Sequence, residues 1–134
     1  MSLVLDTGIV FAYYDRSDEW HARARRTLTG RATLILPAPV IPEIDHLLGV
    51  RLGSAARTVF YEGIVEGHYY VADLPRPDYG RVADIHRQFP DLNLGFVDAA
   101  VVAIATGLGI PRVATTDRRH FPALATAFGL ELLP

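Results

Sequence analysis

Four acidic side chains stand where chemistry can be done: Asp6 in Val4-Leu5-Asp6-Thr7-Gly8, Glu43 in Pro42-Glu43-Ile44, Asp98 in Val97-Asp98-Ala99-Ala100, and Asp117 in Thr115-Thr116-Asp117. Clustered carboxylates repel one another, so a set of four must either protonate in part or share a divalent cation. The chain has no cysteine, so the ligands are oxygens, a set that suits Mg²⁺ or Mn²⁺ rather than zinc. Such an ion lowers the pKa of a bound water and neutralises charge on a phosphate, which is the usual equipment for phosphodiester hydrolysis. No covalent nucleophile is needed.

Each acid also has an ordinary reading. Asp6 and Asp117 follow apolar runs, where aspartate commonly opens a turn or caps a helix. Glu43 suits the positive end of a helix dipole. Asp98 is different: it sits among Val and Ala on an otherwise apolar helix, and a buried carboxylate without a partner costs several kcal/mol. It requires a cation, a strong hydrogen bond or a capping role.

The elements that must bring these residues together alternate between strand and helix. Ser2 to Leu5 reads as a buried strand closed by a turn at Asp6-Thr7-Gly8. Asp18 to Thr29 reads as a helix capped by Ser17, with Trp20, Ala24 and Leu28 on one face. Thr33 to Leu36 is a second strand. Pro37, Pro39 and Pro42 then lead into a helix with Ile44, Leu47 and Leu48 inward and Glu43 beside that stripe. Ser54 to Glu66 is a further helix with Val59, Phe60 and Ile64 inward. His68 to Leu74 reads as a third strand, Pro77 to Phe89 as a helix, and Phe96 to Thr106 as a buried helix. Arg112 to Thr116 and Leu130 to Leu133 are the last two strands. Near-continuous apolar strands separated by helices predict an α/β fold, a parallel sheet of about five strands covered on both faces. In such sheets ligands bind beyond the carboxyl ends of the strands, and residues that follow strands or open helices converge there. Asp6, Glu43, Asp98 and Asp117 all meet that description.

Composition narrows the class further. With 134 residues the chain is the length of one domain, residues 1–134, and long enough to bury a core without staples. All thirteen basic residues are Arg, which removes P-loop lysines, Schiff bases and lysine general bases. A net charge of −2 means that any nucleic-acid contact must rest on a local Arg patch. No signal peptide or membrane-length apolar run is visible, so a cytoplasmic protein with no membrane association is expected.

The ordered set of motifs resembles the PIN-domain ribonucleases, and specifically the VapC toxins of bacterial toxin–antitoxin pairs. The matching stretches are Val4–Gly8, the Pro39–Leu48 segment with Glu43, Leu94-Gly95-Phe96-Val97-Asp98-Ala99-Ala100, and Ala114-Thr115-Thr116-Asp117-Arg118-Arg119-His120-Phe121. Order, spacing and length all agree, although no single motif is specific. The resemblance implies a three-layer α/β/α fold and a Mg²⁺-dependent endoribonuclease in which Mn²⁺ can substitute. It implies Asp6 and Asp98 as principal metal ligands, Asp117 completing the site directly or through water, and Glu43 orienting or deprotonating the attacking water. It also implies 5′-phosphate and 3′-hydroxyl products, homodimerisation, and a VapB-type antitoxin as partner. Thr115 is expected to hydrogen-bond a site carboxylate or the substrate phosphate, and Arg118 and Arg119 to reach RNA phosphates.

Other residues are read as structural. Asp91 belongs to a loop or cap, Asp15, Asp18 and His21 to capping, and Arg23, Arg25 and Arg26 to a solvated helix face. His120 packs or caps beside Phe121, while Tyr69, Tyr70 and Phe89 lie in the core. Two other classes remain open. One is a catalytically inactive PIN-like module that binds RNA or protein, against which retention of all four acids argues. The other is a different phosphoryl-transfer enzyme, against which stand the lack of a second Asp two residues after Asp6 and the absence of Lys.

Overall fold

A computed structural model describes all residues, Met1–Pro134. Five strands, β1 (Ser2–Leu5), β2 (Thr33–Pro37), β3 (Tyr70–Ala72), β4 (Arg112–Ala114) and β5 (Glu131–Leu133), form one sheet in the order β3-β2-β1-β4-β5. Every neighbouring pair is parallel, with Val4 opposite both Ile35 and Val113. The apolar strands are buried on both faces, as parallel strands must be when helices cover them.

The chain runs outward from β1 through β2 to β3, then crosses to β4 on the other side of β1. The strand order therefore reverses between β1 and β4, which is where a crevice opens at the carboxyl edge of such a sheet.

Seven helices make the outer layers: α1 (Thr7–Tyr14), α2 (His21–Leu28), α3 (Ile41–Arg51), α4 (Ser54–Val65), α5 (Tyr79–Gln88), α6 (Phe96–Leu108) and α7 (Phe121–Phe128). Helix α1 packs on α2 and α3, and α6 packs on α5, α7, β1 and β2. The core is one cluster of 30 residues, to which α6 gives Ala99 and the run Val101–Ala105.

Several elements depart from the expectation. The turn at Asp6-Thr7-Gly8 is instead the start of α1: Asp6 caps it, its Oδ1 accepting the Thr7 N–H at 2.8 Å. Eight residues with almost no amphipathic pattern gave no helical period, because α1 buries Ile9 through Ala12 on all sides. Helix α7 was unmarked for a related reason, being short and lacking charges. Helix α2 begins at His21 rather than Asp18 and has no side-chain cap. Ser17 instead donates through N and Oγ to Asp15 Oδ1, and Asp18 Oδ1 accepts from the Trp20 N–H, building a turn ahead of the helix. Strand β3 is three residues long, not seven. Val59 and Tyr70 point outward, whereas Phe60 and Tyr69 are buried.

Candidate active site

Asp6 leaves the end of β1 and is 6% exposed. Its backbone N–H continues the ladder to Ala114 O of β4, at 3.0 Å, so the carboxylate is anchored beside the point where strand order reverses. On the other side of that point, Thr115 follows β4 and is fully buried. Thr115 Oγ1 donates to Asp6 Oδ2 at 2.8 Å and accepts the Asp117 N–H at 3.0 Å. The Thr115 N–H is itself tied to Leu133 O of β5. The expected bond from Thr115 to a site carboxylate is present, and its partner is Asp6. Gly8 lies so close to the same loop that a Cβ there would meet Thr116 Oγ1 at 2.2 Å, which keeps the start of α1 against the end of β4.

Asp117 is fixed through one oxygen and presents the other. Its Oδ1 accepts the backbone N–H groups of Arg119 and His120 at 2.8 and 3.0 Å, and its Oδ2 lies 3.0 Å from His120 Nδ1. Asp98 sits in the first turn of α6, half-buried, where helix N–H groups and burial meet. Glu43 opens α3 and is exposed, but Thr7 Oγ1 from the start of α1 donates to its Oε1 at 2.6 Å. Thr7, read as a turn residue, is thus a contact between two of the site's elements. Its place directly after Asp6 was visible; its partner, 36 residues on, was not.

The electrostatics tie the four acids into one unit. Burial, reinforced by the Asp98 and Asp117 charges, pushes the Asp6 carboxyl up to about 6, against the hydrogen bonds from Thr115 and Thr7. Burial likewise raises Asp98, with Asp117 and Glu43 adding repulsion and His120 opposing it. Asp117 goes the other way. Burial would raise it, but hydrogen bonds from the His120 N–H, the His120 ring and the Arg119 N–H outweigh that and hold it low.

Donor atoms of Asp98, Asp117 and His120 all lie within 4.8 Å of one another, close enough to hold one cation. The structure therefore admits to the site His120, which is expected to pack or cap beside Phe121 and does stand at the N-cap of α7. Its position three residues after Asp117 was the available signal. The Asp98 and Asp6 carboxyls are held up by burial and by the charge of neighbouring acids, a destabilised state that a divalent cation relieves, so the residues fit a divalent-cation site. Asp91 stands exposed on a turn outside this donor cluster. Asp15 and Asp18 make the local turns already described, and the His21 ring contacts Ala12 O at 2.7 Å.

The two arginines after Asp117 differ. Arg118 is occupied: it donates to Pro134 O at 2.6 Å and lies 5.1 Å from the centre of the Trp20 ring, which Arg23 also covers at 3.8 Å. Arg119 is exposed, and its side chain makes no ion pair. An open recess of about 410 Å³, lined by Thr7, Pro42, Glu43, His46 and Leu47, adjoins the acids. A larger cavity, about 490 Å³, lies instead near the start of β2, where Tyr14 and Tyr69 share a hydroxyl–hydroxyl bond of 2.8 Å.

A set of acids around the buried Asp6 at the switch point of a parallel sheet, in a chain with neither Cys nor Lys, defines a protein built for metal-assisted chemistry on an anionic substrate. The PIN domain family model matches residues 3–127, and the chain belongs to that family. It is 28% identical over 123 residues, 91% of each chain, to Ribonuclease VapC26 of Mycobacterium tuberculosis (strain ATCC 25618 / H37Rv). Among solved structures it superposes on M. tuberculosis VapC20, described as a sarcin–ricin-loop-cleaving toxin, with a TM-score of 0.84. The identity there is 22%, over 99% of this chain and 100% of that one. It also superposes on FitAcB from Neisseria gonorrhoeae, with a TM-score of 0.73 at 16% identity, covering 98% and 96%. These likenesses match the three-layer parallel fold. No helix is long and apolar enough to cross a membrane.

Proposed function

We propose that this chain, as one domain over residues 1–134, is a metal-dependent endoribonuclease of the VapC toxin type. What supports the reading is Asp6 at the end of β1, its carboxyl raised to about 6 by burial with Asp98 and Asp117 adding charge, and Glu43 near enough to add to the rise of Asp98. The ribonuclease relative, similar over most of both chains, supports RNA as substrate.

Asp6 and Asp98 would hold Mg²⁺, or Mn²⁺ in its place, with Asp117 completing the site directly or through water. When bound, such an ion supplies a water of lowered pKa and neutralises charge on the scissile phosphate. Glu43, held by Thr7, accepts the proton of the attacking water. Thr115 fixes Asp6, and the Arg119 N–H helps to fix Asp117. The exposed Arg119 side chain meets a flanking phosphate, and the recess beside Glu43 and His46 gives the strand room to leave. Attack in line yields a 5′-phosphate and a 3′-hydroxyl.

A VapB-type antitoxin is the proposed partner, by analogy with the toxin described above. Homodimerisation is supported by the apolar surface of α3, α4 and the link between them, where Val50, Leu52, Val59, Tyr61 and Val65 are exposed. The cytoplasm is the proposed location.

The test is cleavage of total cellular RNA by purified protein with magnesium, manganese or EDTA, beside Asp6→Asn. Discrete bands that need metal and vanish in the variant are expected. Metal binding without cleavage of any RNA would favour a substrate-binding scaffold instead.

A further inference from the structure

We infer that His120 is a ligand of the catalytic cation, so that the site is a mixed oxygen–nitrogen site selective for Mn²⁺-type ions over Mg²⁺; this rests on the metal-dependent reading of the same carboxylates. Three observations carry it. First, the His120 ring is brought to the cluster by the fold: it follows the loop after β4, caps the start of α7, and its donor nitrogen lies within 4.8 Å of donor oxygens on both Asp98 and Asp117. Second, Asp117 is held asymmetrically. Two backbone N–H groups occupy Oδ1, leaving Oδ2 turned to the imidazole. Third, the separation is right for shared ligation. His120 Nδ1 and Asp117 Oδ2 are 3.0 Å apart, and adjacent corners of an octahedron with metal–ligand bonds of about 2.1 Å are separated by about 3 Å. The same pair can therefore be a hydrogen bond without the ion and neighbouring ligands with it, with no movement of backbone.

None of the four other histidines competes for this role. His21 is bonded to Ala12 O, His68 pairs with Glu66, and His46 and His86 are exposed on α3 and α5, outside the donor cluster. An imidazole changes which ion the site takes. Magnesium is met best by oxygen, whereas an imidazole nitrogen favours first-row transition-metal ions, of which Mn²⁺ gains least and is the one nearest to Mg²⁺ in its liking for carboxylates.

The experiment uses the whole chain, freed of any affinity tag and loaded with Mn²⁺ alone, read by electron spin-echo envelope modulation. Modulation from a directly bound imidazole ¹⁴N is expected, and its loss in His120→Ala. In titration calorimetry, His120→Ala should weaken Mn²⁺ about tenfold or more, with a smaller loss for Mg²⁺. His120→Asn keeps a donor to Asp117 but offers no imidazole nitrogen. If it retains the wild-type ratio of Mn²⁺ to Mg²⁺ affinity, His120 merely positions Asp117 and the inference is overturned. Mn²⁺ bound without nitrogen modulation, or modulation that survives His120→Ala, also overturns it and leaves the nuclease reading standing. No Mn²⁺ binding at all removes both.

Discussion

Thr115 Oγ1 donates to Asp6 Oδ2 at 2.8 Å across the switch point of the sheet, and the same hydroxyl accepts the Asp117 N–H. One buried side chain thus orders two site acids contributed by different strands. Thr115→Val preserves the shape and removes both bonds. A hydrogen bond to the charged form lowers a carboxyl pKa, so its loss should lift Asp6 above about 6. It should also cost about 1–3 kcal/mol, since a part-buried N–H loses its partner and the buried Asp6 carboxylate keeps only the Thr7 N–H. Carboxyl ¹³C NMR titration and urea denaturation measure the two effects; an Asp6 titration that stays in place would show that Thr115 does not control it.

Asp6 makes the metal-free protein weaker at neutral pH than in mild acid. Its folded-state carboxyl is raised from 3.8 to about 6, so between those values the folded chain keeps a proton that the unfolded chain has lost. The stabilising contribution is complete below 3.8 and is lost as pH rises through 6. A shift of about two units corresponds to about 3 kcal/mol. In EDTA, Asp6→Asn should gain stability over wild type above pH 6 and show little difference near pH 4. Urea midpoints at pH 4, 5, 6 and 7.5 provide the comparison. A difference between the two proteins that does not vary with pH would remove Asp6 as its source.

The residues that were legible from sequence share a cause. β1 and β2 are short, near-continuous apolar runs, α6 is a long one, and Asp98 is conspicuous because its neighbours are Val and Ala. The convergence of Asp6 and Asp117 followed from the rule for parallel sheets. What sequence could not give was contact: Thr7 with Glu43, or the His120 ring with Asp117, depends on how helices sit on the sheet. Helix α1 carries no helical period in the sequence because it is buried all round, and periodicity reports only elements with one wet face. Tyr69 and Tyr70 show the converse: Tyr69, just ahead of β3, lies in the core, and Tyr70, the first residue of the strand, lies in solvent, although both look alike.

Thr7 should matter to rate more than to fold. Its hydroxyl holds Glu43 Oε1 at 2.6 Å on the exposed side of the site, so the bond adds little stability but sets where a proton acceptor stands. Small displacements of a reacting group can cost up to about a hundredfold in rate. Thr7→Val is expected to lower single-turnover RNA cleavage by about ten- to a hundredfold, with the melting temperature nearly unchanged. Thr7→Ser, which restores the hydroxyl, should recover most of it. Equal rates for all three proteins would leave Glu43 without need of this support.

Divalent metal should stabilise the fold, and more so at higher pH. Binding to the folded state alone contributes about 2.7 kcal/mol at a concentration one hundred times Kd. The ion competes with protons for Asp98 and Asp6, both of which are raised, so the melting-temperature gain in millimolar Mn²⁺ should be larger at pH 7.5 than at pH 5.5. Asp98→Asn should lose most of that gain while folding normally in EDTA. Differential scanning fluorimetry across pH reads this directly. A gain independent of pH, or one retained in Asp98→Asn, would place the ion elsewhere.

Arg118 and Arg119 are adjacent but should fail in different ways. Arg118 spends its guanidinium on Pro134 O and on the Trp20 ring, which Arg23 covers as well, so it joins the loop after β4 to the end of the chain and to the turn before α2. Arg119 is exposed, and only its backbone N–H is committed, to Asp117. Each phosphate neutralised on a single strand contributes about 0.7 to the slope of log affinity against log salt. Arg119→Ala, assayed for binding of a single-stranded RNA under non-cleaving conditions, should flatten that slope by about this amount with little change in stability. Arg118→Ala should lower the melting temperature and leave the slope closer to wild type. The reverse pattern would mean that RNA displaces Arg118 from Trp20, making that aromatic contact a resting state of the phosphate-binding arm.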